Sequence, residues 1–109
     1  MTPRAFRGEL EEMVLLAALQ LRDGAYGAAI LRTLDERAGR DVPRGSVYVT
    51  LDRLEAKGLV SSRAGVPTAQ RGGRAPRLVA VTDAGLAALR RTRSVRERLL
   101  QGLDEALDW

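Results

Sequence analysis

The sequence predicts a mainly α-helical α+β domain: a winged helix-turn-helix with a small β-hairpin, followed by a C-terminal dimerisation helix. Three observations predict it. Three helix-period apolar segments occupy the first 58 residues, two strand-length apolar runs flank a Gly-, Pro- and Arg-rich linker, and the last segment is too long to pack inside a domain of this size. The expected organisation is a winged helix-turn-helix over residues 1–81, with the wing at about 65–76, and a C-terminal helix over 82–109.

Bulk properties set the frame. A chain of 109 residues that is 45% hydrophobic suits one compact core better than two. It contains no cysteine and no histidine. That removes disulfides, Cys/His zinc fingers and any Ser-His or Cys-His nucleophile pair, so neither a catalytic residue nor a metal or other cofactor is expected. The N-terminal MTPRAFRGEL lacks an apolar stretch of signal-peptide length, and no later run approaches the roughly 20 apolar residues that cross a bilayer. A cytoplasmic protein without a membrane partner is the expectation. The formal charge is +4, and Lys57 is the only lysine. Arginine-rich surfaces suit nucleic acid, since the planar guanidinium grips phosphate oxygens or the O6/N7 edge of guanine with two hydrogen bonds.

The first helix covers residues 8–22, with Leu10, Val14, Ala17, Ala18 and Leu21 on one face. Leu15, Leu16 and Leu19 form a second apolar face, and a helix apolar nearly all round must be covered on both sides, by its own domain or by a partner subunit. After Asp23-Gly24, the segment Tyr26 to Ala38 clusters Tyr26, Ile30, Leu31 and Leu34 opposite Arg32, Asp35 and Glu36. Gly39 suits a helix C-terminus and Pro43 the start of the next helix. The third helix, from about Pro43 to Lys57, stripes Val47, Leu51 and Leu54 inward and leaves Ser46, Val49, Asp52 and Arg53 outward, with Gly58 as its stop. Two short helices around such a turn form a helix-turn-helix whose second helix enters a major groove.

The hairpin follows directly. Leu59 to Ala64 and Arg77 to Val81 are strand-length runs, and Val60, Val79 and Val81 favour a pleated surface. Between them, GVPTAQRGGRAP has nothing substantial to bury and carries Arg71 and Arg74, as a solvent-projecting basic tip would. Thr82 has the character of an N-cap, with Asp83 favourably placed against the helix dipole. A helix from Asp83 to about Leu107 would measure roughly 38 Å, against a radius of gyration near 13 Å for a domain this size. Its distal leucines, Leu100, Leu103 and Leu107, therefore need the same helix or the first helix of a second copy.

The segments GELEEMVLLAALQLRDGAYGAAIL, GSVYVTLDRLEAKGLV and RGGRAPRLVAVTDAG resemble the PadR-like transcriptional regulators in order and spacing, over residues 8–90. The third-helix and strand-entry signature consists of Gly45, Ser46 and Tyr48 with Leu51, Leu54, Gly58 and Leu59. The resemblance implies a winged-helix homodimer joined through its terminal helices, acting on double-stranded DNA as a transcriptional regulator, usually a repressor. Transferred residue by residue, it implies Ser46, Thr50 and Arg53 on the groove-facing surface of the third helix, with Arg44 at its N-terminal end. Tyr48 would pack its ring inward and offer its hydroxyl to phosphate. Gln70, Arg71, Arg74 and Arg77 would contact backbone or a minor groove from the wing. The sequence departs from the family at Val49, where proline is common, and at Ala28, Leu78 and Val79, where tyrosines are frequent. With an aromatic content of only 4%, a pocket for a planar aromatic effector is put in doubt. A small-molecule effector would require a cavity at the dimer interface, which periodicity does not reveal.

Two other classes compete with this reading. A winged helix can serve as a protein-protein interaction module without binding DNA, since fold does not fix function, but such a module would expose apolar surface where this chain carries arginines. A hydrolase or transferase built on Asp and Glu alone is disfavoured because Glu11, Glu12, Asp35 and Glu36 fit solvated helix faces or salt bridges, and no Gly-rich phosphate loop is present.

Overall fold

The computed structural model describes residues 6–67, 72 and 75–108. Helix α1 spans Glu9–Leu21, α2 Gly27–Ala38 and α3 Arg44–Ala56; strands β1 Val60–Ala64 and β2 Arg77–Val81 form an antiparallel pair; α4 spans Asp83–Leu100 and the short α5 Asp104–Leu107. This is a winged-helix arrangement, helical except for one hairpin.

Helix α1 starts with Glu9, Glu11 and Glu12 against the positive end of its dipole. The chain leaves it through Arg22, whose positive φ of 51° places a non-glycine residue in the left-handed region, and a single 3-10 turn over Arg22–Gly24. The Ala25 carbonyl then joins the sheet, accepting from the Val79 amide at 2.8 Å, and Tyr26 bridges Leu78. Residues 25 and 26 thus act as a rudimentary third strand beside β2, which is why Tyr26 precedes α2 instead of opening it. Gly39 closes α2 in the left-handed conformation (φ 62°), its amide bonding back to Asp35. Pro43 sits just outside α3, its carbonyl accepting from the amides of Ser46 and Val47.

One core joins these elements. Val14, Leu15, Ile30, Val47, Leu51 and Leu54 are its largest fully buried side chains, and Leu59, Val60, Val79, Ala88 and Leu89 extend it under the hairpin and the start of α4. Gly85, Ala88 and Leu89 make the first two turns of α4 part of this body. Thr82 fixes that junction. Its hydroxyl accepts from the Gly85 amide at 3.1 Å, as an N-cap does, and donates to the Gly58 carbonyl at 2.6 Å, while its amide bonds to the Leu59 carbonyl.

The continuous helix expected to Leu107 is instead two pieces. Helix α4 ends at Leu100, Gly102 turns left-handed (φ 82°), and α5 resumes for a single turn. Glycine costs about 1 kcal/mol in a helix interior and nothing in this conformation, so the break falls on it. The distal half of α4 still projects beyond the body, consistent with a radius of gyration of 15.7 Å and extents of 53 × 34 × 21 Å. No helix among the described residues is long and apolar enough to cross a membrane.

Candidate nucleic-acid interface

The geometry of α3 follows from which of its faces the core takes. Val47, Thr50, Leu51 and Leu54 are buried, so the stripe left to solvent is Gly45, Val49, Asp52, Arg53 and Ala56. Arg44 is exposed at the N-terminal end and Ser46 is half-buried beside it.

Thr50, expected on the groove-facing surface, is only 3% exposed. It shares the helical face of Val47 and Leu54, and its hydroxyl donates to the Ser46 carbonyl one turn back at 2.7 Å, so the polar atom is satisfied inside the helix instead of being offered to DNA. Val49, expected on the outward stripe, is exposed there. Tyr48 is half-buried with its ring against α2: a Cβ added at Gly27 would fall 2.6 Å from the Tyr48 hydroxyl oxygen and 2.7 Å from Cζ. The phenol therefore occupies space that only a glycine leaves free, and it ties α3 to the start of α2.

Arg77, expected to reach DNA from the wing, is committed elsewhere. It lies two residues before buried Val79 in β2 and so on the same face of the sheet, directed over α3. Its guanidinium donates to Asp52 Oδ1 at 2.8 Å and to Glu55 Oε2 at 3.3 Å on α3, and to Ser62 Oγ at 3.1 Å on the neighbouring strand. Gln70, Arg71 and Arg74 lie outside the described residues. Arg63, by contrast, is an exposed wing cation that the sequence reading passed over. It pairs with Leu78 and stands on the opposite sheet face from Val60, a position that strict alternation from Val60 identifies.

An ion pair joins α1 to the end of α3. Glu11 is buried on α1 and makes a salt bridge, one of the two roles expected of it: its Oε1 accepts from the Lys57 ammonium just past α3 and from the Arg7 amide at 3.1 Å; Oε2 has no hydrogen-bond partner. Burial raises the Glu11 pKa, but the hydrogen bonds from Lys57 and Arg7 and the charges of Lys57 and Arg53 outweigh it and leave the carboxyl below its ordinary value.

A second surface lies away from the exposed stripe of α3. Leu15, expected among the subunit contacts, is fully buried in its own core with Val14 and Ala18, because it falls on the inward face of α1. Leu16 and Leu19 are exposed on the other face and, with Leu86 and Leu89 of α4, line a groove of about 380 Å³ edged by Arg90 and Arg93. Leu100, Leu103 and Leu107 are also exposed, the first two lining a second groove with Val95 and Leu99. Arg96 crosses between the helices to bond Glu12 at 3.0 Å.

Comparison with known proteins places this arrangement. The family model described as the transcriptional regulator PadR-like family matches residues 15–91. No curated protein matches. Among solved structures, a PadR family transcriptional regulator from Eggerthella lenta DSM 2243 is 29% identical with a TM-score of 0.69, covering 91% of this chain and 86% of its own. A PadR-like transcriptional regulator from Bacillus cereus strain ATCC 14579 is 21% identical with a TM-score of 0.72, covering 92% of each chain. Bacillus subtilis PadR, solved in complex with operator DNA, is 21% identical with a TM-score of 0.63 over 77% of this chain and 46% of its own.

Proposed function

Since the chain belongs to the PadR-like family of transcriptional regulators, we propose that it binds duplex DNA sequence-specifically as a homodimer and represses transcription by occupying a pseudo-palindromic operator. The observation that carries this reading is the outward stripe of α3, where Arg53 and Val49 stand one turn apart with Arg44 at the N-terminal end, on a helix held rigid by Thr50, Tyr48 and the Glu11–Lys57 pair. An α-helix with its side chains is 10–12 Å across and a major groove about 12 Å wide. Arg53 is suited to the O6/N7 edge of guanine, and the Val49 methyls to the 5-methyl group of thymine about one turn of α3 away. Arg44 on α3 and Arg63 on the wing, joined by Arg71 and Arg74 of the tip, supply phosphate contacts that give affinity without sequence preference.

Two copies would meet through Leu16, Leu19, Leu100, Leu103 and Leu107, the leucines that one chain leaves exposed. An isologous dimer would set the two copies of α3 one helical turn apart on DNA, roughly 34 Å, and exclude polymerase from the site. A small-molecule effector, if the protein takes one, has the groove between α1 and α4 as its place, which Leu16 and Leu19 themselves line.

The deciding experiment is a titration of the protein against its own upstream region at several salt concentrations. Steep loss of binding with salt is expected; binding that is absent, or indifferent to salt, overturns the reading. Light scattering at micromolar concentration is expected to give twice the chain mass, and a single-chain mass would remove the dimer.

A further inference from the structure

The reading surface carries a charge problem that the structure solves locally. Asp52 belongs to the outward stripe of α3 beside Arg53, and Glu55 follows it one residue past Leu54; both carboxylates are solvent-accessible, with side chains 69% and 43% exposed. Two anions on the face that meets a polyanion would repel phosphate. Arg77 is the group that meets both, at 2.8 and 3.3 Å, while its own side chain is the less exposed partner at 28%. It reaches them because β2 alternation turns it inward over α3, and its Nε bond to Ser62 fixes the orientation in which both terminal nitrogens point at the helix.

The geometry points to Arg77 as a positioning residue that masks Asp52 and Glu55, leaving the C-terminal half of α3 electrostatically acceptable to DNA, and not as a DNA ligand itself. This inference rests on the DNA-binding reading above and adds a division of labour among the arginines: Arg53 reads, Arg44 and Arg63 hold phosphate, and Arg77 works through two carboxylates. The fork shape of the guanidinium matters, because one side chain must satisfy two acceptors on adjacent turns of helix, which a lysine ammonium meets less well.

The test uses the full chain and a duplex that the wild-type protein enriches from a random pool. Arg77→Met is expected to lose about tenfold in affinity at low salt, since it removes one cation and uncovers two anions. Adding Asp52→Asn and Glu55→Gln to that variant is expected to restore binding to within about threefold of wild type, with an unchanged dependence on salt. A triple variant that binds as weakly as Arg77→Met, or whose salt dependence is shallower by about one phosphate contact, overturns the masking role and makes Arg77 a direct ligand. Should Arg77→Met fold poorly, the Asp52→Asn/Glu55→Gln pair with Arg77 intact decides: affinity equal to or above wild type is expected, and weaker binding refutes the inference. A wild-type protein that enriches no duplex sinks the DNA-binding reading, and this inference with it.

Discussion

Glu11 on α1 and Lys57 just beyond α3 form a half-buried ion pair that spans 46 positions of sequence and joins the two helices. Lys57 keeps part of its surface in water, whereas Glu11 does not. Glu11→Gln is expected to lose about 2–3 kcal/mol at pH 7, because the charge-assisted hydrogen bond from Lys57 to a buried carboxylate is replaced by a weaker one to a neutral amide. The folded carboxyl titrates below its ordinary value of 4.5. The pair therefore stabilises fully above that value, and its contribution is lost as pH falls through the lower, folded one. Urea melts should show wild type and variant converging in acid; curves that stay parallel from pH 7 to pH 3 would refute the pair as a stabilising element.

Gly85 lies in the first turn of α4 against the chain entering β1. A Cβ placed there would fall 2.3 Å from the Leu59 carbonyl oxygen and 2.8 Å from a Val81 methyl. The oxygen is backbone and already accepts from Thr82, so it has little freedom to yield. Gly85→Ala should cost about 2–3 kcal/mol despite the higher helix propensity of alanine, seen as a Tm lowered by roughly 10 °C or more for a domain this size. A Tm at or above that of wild type would show that the junction repacks freely.

Leu15 and Leu16 are neighbours with opposite fates. Leu15→Ala should destabilise the fold by about 2–5 kcal/mol through the cavity it leaves. Leu16→Asp should leave the melting of the isolated chain nearly unchanged and shift the light-scattering mass toward one chain. If Leu16→Asp melts like Leu15→Ala while the mass stays the same, the exposed face of α1 is not a subunit contact.

Arg53 and Arg63 should fail differently. Arg53→Ala is expected to cost about 1–3 kcal/mol at one guanine position and to relax preference there. Arg63→Ala should weaken all duplexes alike and flatten the salt dependence by about one contact. Selection from random duplexes with each variant separates the two, and identical profiles would remove the distinction between reading and holding.

Much of the fold was legible because it rests on local periodicity. The helix ends at Gly39 and Gly58, the extent of β2 and the cap at Thr82 all follow from side chains whose effect is felt within a turn. The break near Gly102 was not legible: whether a glycine bends, frays or breaks a helix depends on what surrounds it, and here the chain turns left-handed just after α4 ends. The site was harder. Val49 was placed outward by periodicity, but Thr50, expected on the same outward surface, is buried on the side of Val47 and Leu54. The wing tip's Gln70, Arg71 and Arg74 lie outside the described residues and are placed by sequence alone.

By itself the sequence determined the order of elements, the basic character of the chain, the inward stripes and the family, because each is carried by residue type and short-range spacing. Tertiary structure alone decided that Leu15 is core while Leu16 is surface, that Glu11 is buried and paired with Lys57, and that Arg77 faces Asp52 and Glu55. Those outcomes depend on which element packs on which face. An arginine's charge is written in the sequence, but its partner is chosen by whatever the fold brings within about 3 Å of it.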